Sequence, residues 1–262
     1  MQKAEGIEMK AIEIAMIGVC AALYAVVGRL TDLGITGPGG VAFWPAAVIP
    51  AIFAVLFGPW TGGFGAAIGI FVRDMLFHGD ALLSLSAGVT ANFAGFFLIG
   101  YISRKNLDWK KIIISVAFSG VIVVSSFLVP MALPVESGIV ANFSPSDAIL
   151  LFFAAVAGSM LLIVTIARFW PEWKNFGAGS VIGLGVGATI ISIIVWGYSQ
   201  IFFSASGYFK SPLSPIFIPV IFVWTFASEI PFILLLGPPV IKASYGAFPS
   251  LKPSQQPTTK EK

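Results

Sequence analysis

The stretch VAFWPAAVIPAIFAVLFGPWTGGFGAAIGIFVRDMLF, residues 41–77, decides the fold class. It holds two apolar runs, Val41–Phe57 and Gly62–Phe77, parted only by Gly58-Pro59-Trp60-Thr61. Neither run alternates apolar with polar residues, as a strand of a membrane barrel would. Proline favours a helix start and glycine a helix end, so the break reads as the turn of a tight helical hairpin. Both runs are short for a hydrocarbon layer that takes about 20 residues to cross.

Working outward, six more runs of the same kind follow the chain: Ala11–Leu30, Ala81–Ile102, Ile112–Leu133, Ala148–Phe169, Ser180–Phe203 and Ile216–Ile241. Of 262 residues, 57% are hydrophobic and 10% charged, against roughly 25% charged in an ordinary soluble domain. A soluble protein of this composition would lack the polar residues to cover its surface, so lipid is the solvent for much of the chain. The expectation is an all-α integral membrane protein with about eight transmembrane helices. Met1–Lys10 leads into the first run with no clear cleavage site behind it, which reads as a retained span rather than a signal peptide. Residues 248–262, rich in Pro, Ser, Thr, Gln and Lys, read as a disordered tail.

The formal net charge of +3 does not mark a nucleic-acid binder, because the basic residues sit in short tracts between apolar runs. With the N-terminus inside, the cytoplasmic side collects Lys3, Lys10, Arg104, Lys105, Lys110, Lys111, Arg168, Lys174, Lys242, Lys252, Lys260 and Lys262. Only Arg29, Arg73 and Lys210 fall outside. Such an imbalance sets orientation under the positive-inside rule, with both termini cytoplasmic at the cell membrane.

Small residues recur at helical spacing. Ala11, Ala15, Gly18, Ala22 and Ala25 form a smooth ridge on the first span. Gly65 and Gly69, then Ala87, Ala91 and Gly95, then Gly179, Gly183 and Gly187 repeat the device. Lipid provides no hydrophobic drive between helices, so association there relies on close backbone approach at small residues. Such ridges either hold the bundle together or, on the first span, offer a docking face.

Polar groups near the membrane are costly unless paired or wet, and so mark candidate sites. Arg29 and Asp32 end the first span; Arg73, Asp74, His78 and Asp80 end the third; Glu136, Asn142 and Asp147 lie in or beside the loop after the fifth. Asn92 falls near the middle of the fourth span and Glu229 near the middle of the eighth, two residues before Pro231. Glu229 divides evenly between a structural and a functional reading. His78 is the only histidine and Cys20 the only cysteine. A lone imidazole beside carboxylates is a thin ligand set, and no metal or cofactor is expected. The chain has no G-x4-G-K-[ST] phosphate loop, GxSxG elbow or HExxH motif, so neither ATP-driven work of its own nor enzymatic activity is expected.

Two segments resemble a known family. One is Ala21-Ala22-Leu23-Tyr24-Ala25-Val26-Val27-Gly28; the other runs from Pro50 through Phe57-Gly58-Pro59-Trp60-Thr61-Gly62 to Gly65, Gly69 and Asp74. Together they are similar to the substrate-binding (S) components of energy-coupling-factor (ECF) importers of vitamins and micronutrients. The resemblance implies a ligand held on the extracellular side by the first outer loop and later helix ends. It also implies a first helix, here Ala11, Ala15, Gly18, Ala21, Ala22 and Ala25, that docks a transmembrane coupling subunit attached to ATPase subunits. On that reading Arg29, Trp44, Arg73, Asp74, His78, Asn92 and Asn142 bind a small organic ligand. Metal-importing members begin Met-His; Met1-Gln2-Lys3 argues against nickel or cobalt. That family has six spans, so residues 1–170 would form the family bundle and 171–247 an additional helix pair. The rival reading is a non-catalytic subunit of a larger membrane complex.

The topology predicts Lys105 and Lys111 on the cytoplasmic side and Glu136 and Lys210 outside. Cysteine labelling of intact cells at these four positions checks it, and labelling at 105 from outside would overturn it.

Overall fold

A computed structural model describes residues 11–105, 110, 157, 161, 164–165, 168–204 and 207–252. Among these residues the regular structure is helical, with two isolated β-bridges, Thr36 with Ala42 and Phe203 with Phe209. Six helices carry the fold: α1 (Ala11–Thr31), α2 (Val48–Phe57), α3 (Pro59–Phe77), α4 (Ala81–Ser103), α5 (Lys174–Ile201) and α6 (Phe217–Ala247). Four of them, α1, α4, α5 and α6, are long and apolar enough to cross a membrane. The expected fifth span, most of the sixth, and the tail beyond Lys252 lie outside the described residues.

The second expected span starts late. Val41–Trp44 belongs to the preceding loop, and the helix begins with the 3₁₀ turn Pro45–Ala47 before α2. Trp44 precedes a proline, whose ring disfavours the helical region for its neighbour, and it adopts φ −133°, ψ 67°. Hydropathy could not separate this loop from the helix, because the loop residues are themselves apolar. The hairpin turn behaves as expected: Gly58 takes φ 119°, and Pro59 opens α3. Arg104 secures the same turn by donating from Nη2 to the carbonyls of Val55 (3.1 Å) and Leu56 (3.3 Å), which α2 leaves without helical partners.

The last two helices also outrun their sequence limits. α5 starts at Lys174 rather than Ser180, and α6 runs on to Ala247 through Pro231, Pro238 and Pro239. Each proline removes one helical hydrogen bond, a loss that neighbouring helices and hydroxyl side chains can offset in a membrane. α6 is the most buried of the four long helices and α1 the least, with 67% and 28% of their apolar windows inside the protein. α1 is therefore an edge helix, and α6 is central.

Glycine ridges set the spacing. A Cβ built at Gly65 falls 2.6 Å from Cys20 Sγ, and one at Gly69 falls 2.7 Å from the Ala21 carbonyl, so α1 and α3 meet backbone to backbone. On α4 and α5 the two expected ridges pack on each other. A Cβ at Gly183 would sit 2.5 Å from the Gly95 carbonyl, and one at Gly187 would sit 3.2 Å from that of Ala91. Ala21 and Ala25 face inward and are buried, whereas Ala11, Ala15, Gly18 and Ala22 are exposed. The ridge read from spacing thus splits at its outer end: Ala25 has turned into the bundle beside Tyr24, and only the earlier positions remain free.

Replacing Gly183 by Ala should force α4 and α5 apart and cost about 1–3 kcal/mol of stability. Gly18→Ala meets nothing within 4 Å and should be neutral. Thermal melts of the detergent-purified variants test this, and equal melts would refute the packing.

Candidate functional site

Where the ends of α1, α3 and α4 meet the loop Asp32–Trp44, the bundle encloses a cavity. It is lined by Tyr24, Trp44, Ile70, Arg73, Asp74, His78, Asn92, Val195, Tyr208 and Glu229, among others. It leaves about 90 Å³ for the centres of water-sized groups, several times the space that one water needs. Walls from α1, α3, α4, α5 and α6 all contribute, so the C-terminal pair completes the enclosure.

The roof is the loop after α1. Asp32 starts it by accepting from the Gly34 amide at 3.1 Å, and Ile35 and Val41 carbonyls take the amides of Phe43 and Gly37 at 2.9 and 2.8 Å. Two outside donors hold it down: Trp224 Nε1 to the Val41 carbonyl and Tyr208 Oη to that of Gly40, each at 3.0 Å. Glycine is required here. Gly39 and Gly40 have φ +65° and +78°, and a Cβ at Gly37 would collide with the Trp224 ring at 2.2 Å. Tyr208 is 38% exposed, and the rest of its side chain is buried against the loop and the cavity. That burial pushes the phenol up to about 12; Arg73 pulls it back, while Asp74 and Asp80 raise it further. The group therefore stays a donor to Gly40 throughout the neutral range.

α3 delivers the charged floor. Arg73 and Asp74 are both only 6% exposed. Arg73 Nη1 donates to Asp74 Oδ1 at 3.1 Å, and Ser84 Oγ donates to Asp74 Oδ2 at 2.7 Å. The guanidinium lies 4.8 Å from the Trp44 ring centre and 4.3 Å from that of Phe77, so aromatic faces replace part of its hydration. Its Nη2 is 3.9 Å from Asp32 Oδ2, too long for a hydrogen bond but close enough for charge. Among the described residues, Arg73 Nε, Arg73 Nη2 and Trp44 Nε1 are buried donors without a hydrogen-bond acceptor.

α4 brings the remaining pieces through a π-helical turn, Ser84–Val89. Such turns reset the face a helix presents, and they recur at functional sites. Here the turn lets Gly88 pass Asp74 so closely that a Cβ would come within 2.9 Å of its Oδ2. One turn later Asn92 Nδ2 donates to the Gly88 carbonyl at 2.9 Å, and its Oδ1 accepts from Tyr24 Oη at 2.6 Å. Tyr24 also packs edge-on against Trp44 and Phe96. At the mouth, His78 Nδ1 accepts the Asp80 amide at 3.1 Å, which places the ring proton on Nε2, 3.7 Å from Asp74.

The structure therefore gathers Trp44, Arg73, Asp74, His78 and Asn92 on one cavity. Arg29 stands at the rim, its side chain 63% exposed and paired with Asp32 at 3.1 Å. Asp80 turns away to accept from the Leu83 amide and from Tyr198 Oη, at 3.0 and 2.7 Å. Among the described residues no three His, Cys, Asp or Glu side chains converge as metal ligands. Asn142, Glu136 and Asp147 lie outside the described residues. Sequence reasoning missed Tyr24 and Tyr208 and left Glu229 undecided. Tyr24 shares the buried face of Cys20, Ala21, Ala25 and Gly28, a helical pattern that could have exposed it.

No curated protein and no solved structure matches the chain. A family model described as "ECF-type riboflavin transporter, S component" matches residues 8–169, more than half of the sequence. With that match, the chain belongs to the ECF transporter S-component family and is a membrane transport protein that contributes to vitamin uptake.

Proposed function

We propose that this chain is the membrane-embedded substrate-binding subunit of an ECF importer, with the cavity beneath the Asp32–Trp44 loop as its ligand site. One observation carries the proposal: a chain of this family gathers five helices and a glycine-shaped loop around a cavity whose lining mixes apolar walls with convergent polar groups. Pockets built this way suit small organic molecules. The family name makes riboflavin the first ligand to try. Tyr24, Trp44, Arg73, Asp74, His78 and Asn92 are the proposed contacts, with Arg29 at the entrance.

Energy comes from separate subunits. α1 is the edge helix, and its Ala11, Ala15, Gly18 and Ala22 are exposed in the isolated chain. They form the proposed docking face for the coupling subunit, which in turn carries the ATPases. Ala21 and Ala25 support that face from behind by letting α1 lie against α3. The lysine and arginine distribution supports cytoplasmic termini and a cavity that opens outward.

Calorimetry on the purified chain tests the pocket. Asp74→Ala, Asn92→Ala and Trp44→Ala each remove a polar or aromatic contact and should weaken ligand binding about ten- to a hundredfold. If all three bind like the parent, the pocket is wrong. Docking is tested separately: Ala22→Trp should leave binding by the isolated chain intact but abolish co-purification with the coupling subunit. Ala25→Trp should instead damage the fold itself. Normal assembly of the Ala22 variant would remove α1 as the docking face.

A further inference from the structure

From the carboxyl that the cavity leaves without a partner, we infer that Glu229 is the counter-ion for a positively charged nitrogen on the ligand. The cavity then selects an organic cation over a neutral molecule of the same shape. The inference rests on the cavity being the ligand site. It concerns a residue beyond 8–169, the part of the chain that matches the family model, so the family's name does not speak for it.

Glu229 stands in the middle of α6 and lines the cavity. Its neighbours Ser228 and Ile230 are only 3% and 0% exposed, so the carboxyl lies within the bundle and meets open space at the cavity. An ionisable group held inside a membrane bundle needs a partner, and such groups mark ligand and ion sites. Among the described residues no ion pair or hydrogen bond reaches this side chain. The donors that line the cavity with it are engaged elsewhere: Tyr24 Oη on Asn92 Oδ1 at 2.6 Å, Asn92 Nδ2 on the Gly88 carbonyl at 2.9 Å, and Tyr208 Oη on that of Gly40 at 3.0 Å. On α6 itself, Thr225 and Ser228 turn their hydroxyls to carbonyls of their own helix.

The charges around the cavity show the same surplus. Arg29 faces Asp32 at 3.1 Å and Arg73 faces Asp74 at 3.1 Å, so two guanidiniums answer two carboxylates. His78 turns its Nε2 toward Asp74 as well, at 3.7 Å. Glu229 is the carboxyl left over. A neutral ligand would leave it unpaired in a poorly solvated site, and an anionic one would add to the excess. A cationic nitrogen supplies both the charge and the hydrogen-bond donors. α6 adds a further acceptor on the same turn, because Pro231 lacks the amide hydrogen that the Ala227 carbonyl would receive in a regular helix.

The test is calorimetry on the full chain in detergent at neutral pH with matched probes: pyridoxamine against pyridoxine, and thiamine against thiochrome, each a cation beside a neutral analogue. Riboflavin serves as a neutral reference for the cavity. At least one cation should bind the parent about tenfold or more tightly than its neutral analogue. Glu229→Gln keeps size and shape but drops the charge, and should cost that cation about thirtyfold or more while leaving neutral probes unchanged. Glu229→Asp keeps the charge and should recover part of the loss, which a merely structural role would not produce. A Gln variant that binds cations like the parent would mean that the carboxyl acts as a neutral acid, and would overturn the inference. Equal or tighter binding of the neutral analogues by the parent would also overturn it, whether or not the variants fold. If riboflavin binds the parent and no cation does, the cavity stands and the inference falls. If no probe binds, both fall.

Discussion

A guanidinium buried at the end of a membrane bundle must be compensated from every direction, and much of this structure answers that demand around Arg73. Asp74 supplies the opposite charge, Asp32 adds a second carboxylate from the loop above, and Trp44 and Phe77 cover the two faces. Ser84 then fixes the second oxygen of Asp74. Among the described residues compensation is incomplete, because Arg73 Nε and Nη2 have no hydrogen-bond acceptor there. A protein evolved only to hold its own helices together would gain from closing that edge or from replacing the pair with apolar side chains. An incomplete site next to a cavity is what a ligand-binding protein requires.

Arg73 and Asp74 reach the cavity because α3 fits between its neighbours. Its glycines let α1 approach through Gly65 and Gly69, and Gly62 lets α2 fold back until Ala54 nearly touches it. α4 meets α5 along another seam of glycines, which brings Val195 and Tyr198 toward the same end. In lipid these contacts replace the hydrophobic drive as the source of helix association. Spacing and chemistry are therefore coupled: a methyl group in the wrong seam would move the walls of the cavity as well as loosen the bundle.

The sequence revealed more of this than its low polar content suggests. Among the described residues, long apolar runs identified the helices, because a lipid-facing helix must be apolar over most of its length. Scarcity of charge made Arg73, Asp74 and His78 conspicuous, and Asn92 stood out as an amide inside a span. Other features were hidden for physical reasons. Val41–Trp44 is as apolar as the helix it precedes, so only the Trp44-Pro45 step marks the boundary. Tyr24 looked like ordinary packing, since nothing local shows that its hydroxyl meets Asn92, 68 residues away. Tyr208 depends on a loop pairing with Gly40 that no periodicity encodes. The α1 ridge was read as one surface, but helical drift turns Ala25 inward while Ala11 to Ala22 stay out. The family match supplies the remaining step, from a cavity to vitamin transport.

Native mass spectrometry of the full chain, isolated with mild detergent from its own membranes, tests the central claim most directly. The account predicts a small organic molecule bound to the chain and released on unfolding, in a population that also appears with a coupling subunit and ATPases. A chain that carries no small molecule and always appears in fixed ratio with other large membrane subunits would contradict it.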